Sequence, residues 1–97
     1  MTLEEFKQSI TANNPSAELP HALAGLWWDA KGDWDRAHSS AMLDKSPDGS
    51  WVHAYLHRKE GDRENAGYWY GRAEKPFSED SLEDEWESIA REILARL

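Results

Sequence analysis

His53 and His57 stand four residues apart, the spacing that puts two side chains on one face of an α-helix. Two imidazoles so placed can hold a transition metal ion, and Glu60 follows one turn further on as an oxygen donor. His21 and His38 are the only other histidines that could supply a third ligand. No His-Glu-x-x-His motif is present, so a zinc protease is not indicated. The same two rings also fit as half-buried core residues bonded to carboxylates or backbone. Asp44-x-Ser46-x-Asp48-Gly49 matches the first half of a calcium loop, but Tyr55 stands where that loop needs its bidentate Glu. The segment therefore reads as a turn.

Other chemistries find little footing. There is no Cys, which removes disulfides, thiolate metal sites and thiol catalysis. No Gly-x-Ser-x-Gly elbow and no phosphate-cradling glycine loop occur. The carboxylates between Glu79 and Glu87 read as a solvated helix face. Enzyme activity and a cofactor are not expected. With a net charge of −8, the chain repels phosphate backbones, so nucleic acid is a poor partner. No apolar run approaches the roughly 20 residues of a membrane span, and the first 25 residues lack a basic start followed by an apolar stretch. A cytoplasmic location is the resulting expectation. Six Trp among 11.1 kDa exclude a disordered chain.

Helical periodicity predicts the elements that carry these residues. Leu3, Phe6 and Ile10 share a face of a helix over 2–12, opened by the capping-box pair Thr2 and Glu5. Leu23, Leu26, Trp27 and Ala30 predict a helix from Pro20 to about Lys31, and Asp33 caps the next, over 34–45. Ser46-Pro47-Asp48-Gly49 reads as a turn before a helix over 51–60, and Asp62 caps a fifth over 63–74. Leu82, Trp86, Ile89, Ala90, Ile93 and Leu97 predict an acidic-headed last helix at about 81–96. No strand-like alternation is found. The expectation is one all-α domain over 1–97.

Two stretches repeat at a shift of 29 residues: Gly32 falls on Gly61, Asp33 on Asp62, Ala37 on Ala66 and Pro47 on Pro76. The Gly permits a tight turn, the Asp caps the following helix, the Ala lets two helices approach, and the Pro ends the unit. "KGDWDRA" and "EGDRENAGYWYGRA" resemble the tetratricopeptide repeat family over about Pro20 to Pro76. The period is shorter than that family's usual 34 or so, and two hairpins stand where arrays commonly need about three. The small residue that the family places in its first helix is Gly25 in one copy and Ala54 in the other, neither preceded by Leu.

The resemblance implies two stacked antiparallel hairpins, about 20–47 and 48–76, flanked by terminal helices. It implies a groove lined by Leu26, Asp29, Trp51, Tyr55, Arg58 and Lys59, in which family members bind extended peptides. Arg58 and Lys59 suit an acidic peptide or a terminal carboxylate. Tyr68, Trp69 and Tyr70 span more of a helix than one hairpin contact buries, so an aromatic face is open to a second copy or a partner. The reading is a non-catalytic protein-interaction module, open to self-association as a homodimer. The alternatives are a metal- or small-ligand-binding protein using His53 and His57, and a small enzyme with no assigned mechanism.

Overall fold

The computed structural model describes all residues, 1–97, and is all-helical: α1 (Leu3–Ser9), α2 (His21–Ala30), α3 (Trp34–Leu43), α4 (Pro47–Glu60), α5 (Arg63–Ala73) and α6 (Leu82–Ala95). Local signals open and close these helices. Thr2 and Glu5 exchange hydrogen bonds of 2.8 and 3.1 Å as a reciprocal cap. Asp33 accepts the Arg36 N–H at 3.0 Å and Asp62 the Asn65 N–H at 3.1 Å. No helix is long and apolar enough to cross a membrane.

The two glycine–aspartate junctions share one backbone geometry. Gly32 and Gly61 take φ of 81° and 90°, a region closed to most side chains. The amide of Asp33 donates to the Trp28 carbonyl at 3.0 Å, and that of Asp62 to the His57 carbonyl at 2.9 Å. α2 packs on α3 and α4 on α5, while α3 also packs on α4.

The expected turn at Ser46–Gly49 is corrected: Pro47, Asp48 and Gly49 form the first turn of α4. Proline suits that position because its missing N–H has no intrahelical partner there. Gly49 is there because α4 starts against Asp44. A Cβ on Gly49 would stand 2.1 Å from the Asp44 carbonyl oxygen. The Asp44 carboxylate, offered by the sequence to calcium, accepts the Ala22 amide at 2.9 Å and the Ser46 amide at 3.0 Å. It thereby caps α2, whose own N-cap, Pro20, has no side-chain donor or acceptor.

One core runs through the molecule, from Phe6 through Leu23, Leu26 and Trp27 to Val52, Leu56, Tyr70 and Ile89. α6 closes it, lying against α4, α2 and α1. Phe6 stacks on Trp86 with ring centroids 5.6 Å apart, and the Trp86 indole donates to the Leu26 carbonyl at 3.0 Å.

These contacts separate the helical glycines. Gly49→Ala lowers stability, because the clash of the new methyl with the Asp44 backbone outweighs the roughly 1 kcal/mol of helix propensity gained. Gly67→Ala and Gly71→Ala, where an added Cβ meets nothing within 4 Å, raise stability by about 0.5–1 kcal/mol each. Urea midpoints of the three variants check this, and a stabilising Gly49→Ala would contradict the packing.

Candidate functional site

α3, α4 and α5 bring a column of rings together. His53 and His57 occupy one face of α4, and their ring centroids are 4.9 Å apart. α3 adds His38, at 4.4 Å from His53 and 5.4 Å from His57. One ligand atom from each of the three histidines lies within 4.8 Å of the other two. Trp34 stacks on His38 at 4.8 Å from one side, and Trp69 of α5 stacks on His53 at 3.9 Å from the other. The Trp34 indole is held by the Leu56 carbonyl at 3.1 Å.

Burial favours the neutral imidazole at His53 and His38. Burial pushes His53 down from 6.5 to about 4, with His38 and His57 adding to the shift. His38 is lowered as well, first by burial and then by His57, against the raising pull of Glu60 and Asp35. Neutral imidazole is the form that coordinates a metal. His57 Nδ1 lies 2.6 Å from Glu60 Oε2. A carboxylate on Nδ1 fixes the tautomer and leaves Nε2 to coordinate, the arrangement common behind metal-bound histidines.

Of the residues expected at this site, His53, His57 and Glu60 are together, and His38 is the third histidine that joins them; His21 is not part of the cluster. The flanking Trp34 and Trp69 were not read from the sequence as part of it. Trp34 and His38 are four apart on α3, a spacing that signals a shared face.

The six residues expected to line a groove are largely engaged within the chain. Leu26 and Tyr55 are buried, and Trp51 is covered apart from an edge beneath Lys75, whose Nζ is 4.2 Å from the ring centroid. Arg58 donates to Glu85 of α6 at 2.9 Å and to the Asp80 carbonyl. Tyr70 also donates to Glu85, at 2.6 Å. Burial raises the Glu85 carboxyl above its ordinary value despite the opposing pull of Tyr70 and Arg58. Asp29 accepts from Tyr55 and from Lys59, each at 2.9 Å. This Asp29–Lys59 end opens on a cavity of about 470 Å³ bounded by Lys7, Trp86 and Glu87.

The chain matches no protein-family model, no curated protein and no solved structure.

The depressed histidines give metal-free protein a signed pH dependence. The unfolded chain binds a proton at His53 more readily than the folded one, so stability is full above pH 6.5 and falls as pH drops towards 4. The slope for this one proton reaches at most about 1.4 kcal/mol per pH unit, and His38 acts in the same direction. Urea midpoints at pH 7 and 5 should differ more in the wild type than in His53→Gln, where only the His38 contribution remains. Equal slopes in both proteins would contradict the shift.

Proposed function

We propose that this chain is a metal-binding protein that holds one transition metal ion, of the zinc or nickel class, on His38, His53 and His57. The observation that carries the reading is the convergence of three imidazoles from two helices, with ligand atoms within 4.8 Å of one another. Donors around tetrahedral zinc, each about 2.0–2.1 Å from the metal, lie about 3.3 Å apart. Side-chain rotation of the partly exposed His38 and His57 covers that difference. Glu60 behind His57 orients one ligand, and Trp34 and Trp69 hold the others in an apolar shell that lowers the local dielectric. Three protein ligands leave a fourth position for water or an exogenous donor.

A second reading, a non-catalytic protein-interaction module built of tetratricopeptide-like hairpins, is favoured by one observation. The basic and aromatic face of α2 and α4 holds an acidic helix, the chain's own α6, through Arg58 and Glu85. An acidic partner, or α6 of a second copy, would use the same contacts by exchange with α6.

Isothermal titration of untagged, metal-free protein with zinc is expected to give one site per chain. His38→Ala and His57→Ala should weaken it by more than about 100-fold, and Glu60→Gln by about 10-fold or more. Both histidines are partly exposed, so circular dichroism can verify that these variants fold. Absence of stoichiometric binding, or an affinity indifferent to His38, would end the metal reading.

A further inference from the structure

Carboxylates outnumber cations in this chain, 19 to 11, so a cation without a carboxylate partner is the exception. Lys31, Lys45, Arg63 and Arg72 have none within 4.0 Å, whereas the other cations do. Lys31 and Arg63 lie over the rings of Trp27 and Phe77. Lys45 and Arg72 share one cavity of about 180 Å³, between the end of α3, the start of α4 and α5.

His53 and Ser50 belong to the same wall. His53 is only 4% exposed and hydrogen-bonds to no group of the chain, and since Trp27 Nε1 is the one sealed polar side-chain atom without a partner, the His53 ring nitrogens keep a path to solvent. An imidazole has two nitrogens, so one can serve the histidine cluster and the other the cavity. The one carboxylate at the rim, Asp44, already accepts the amides of Ala22 and Ser46. The Arg72 guanidinium is steadied by the Tyr68 hydroxyl at 3.2 Å and by the Trp69 ring at 5.4 Å from its centroid. Its remaining N–H groups have no acceptor in the chain.

We infer that this cavity binds a small phosphate group, with Arg72 and Lys45 as its counter-charges and Ser50 and His53 as further hydrogen-bond donors. Its volume of about 180 Å³ admits inorganic phosphate or the phosphate of a monoester. The site goes beyond the metal reading and does not require a metal in the cluster: two cations and two neutral donors are sufficient for a tetrahedral dianion.

The test is an NMR titration of ¹⁵N-labelled, metal-free full chain with sodium phosphate at constant ionic strength. Saturable shifts are expected at the Gly49 and Ser50 amides and the Trp69 indole. Arg72→Gln and Lys45→Gln should each weaken binding at least about 5-fold. Arg36→Gln, on a residue paired with Asp33, should leave it unchanged. Both cavity substitutions are at the surface, and unchanged shifts elsewhere verify the fold of each. Glycerol phosphate is the second probe: tighter binding than inorganic phosphate identifies a monoester as the ligand, and weaker binding identifies the free ion. Shifts that follow sodium chloride equally, or an affinity indifferent to both Arg72 and Lys45, would overturn the site. Neither result depends on whether zinc binds.

Discussion

Three helices meet at a residue with no side chain. A Cβ on Gly25 of α2 would stand 3.2 Å from the Ala37 carbonyl oxygen of α3 and 3.2 Å from Val52 Cγ1 of α4. The distance between α3 and α4 is set by this contact and by the small buried residues Ala37 and Ala41 beside it. His38 follows Ala37 in sequence and His53 follows Val52. The histidine cluster therefore depends on a close approach that a larger residue at position 25 would widen. Asp44 and Gly49 pin the same helices at their other end, where one carboxylate caps α2 and the α4 backbone presses against it.

The domain thus has two unlike faces. On one, α6 covers the aromatic and basic residues of α2 and α4, where the partly buried Arg58 pairs with the buried Glu85 at 2.9 Å. Removing one partner would leave a buried charge alone, which is far costlier than the pair is stabilising. On the other, α3, α4 and α5 carry the histidines, two unpaired cations and the half-exposed Trp34 and Trp69. Six of the twenty core residues are aromatic, large side chains in a domain with few interior positions. One of them, Trp27, is fully buried with an indole N–H that finds no acceptor, a cost of roughly 1–3 kcal/mol offset by the area its rings remove from water.

Much of the fold was legible in the sequence because its signals are local. Thr2, Asp33, Asp62 and Ser81 each cap the helix they precede, and Gly32 and Gly61 each take the positive φ that ends one. The start of α4 was not legible. Ser-Pro-Asp-Gly is a turn by composition, and only the approach of Asp44, a tertiary contact, explains a glycine in a helical first turn. The pair His53 and His57 was visible from its spacing. Its third member was narrowed to His21 or His38 and no further, because His38 is fifteen residues before His53 and no local rule fixes the rotation of α3 against α4. Arg58 and Lys59 were expected to meet an acidic peptide or a terminal carboxylate, and no pattern around them discloses that Glu85 and Asp29 of the same chain pair with them.

X-ray absorption at the zinc edge, on the full chain loaded with one equivalent, tests the central claim most directly. The account predicts a four-coordinate ion with three imidazole nitrogens at about 2.0 Å and one light exogenous donor, falling to two imidazoles in His38→Ala. A six-coordinate oxygen shell, or an imidazole count unchanged by His38→Ala, would contradict it.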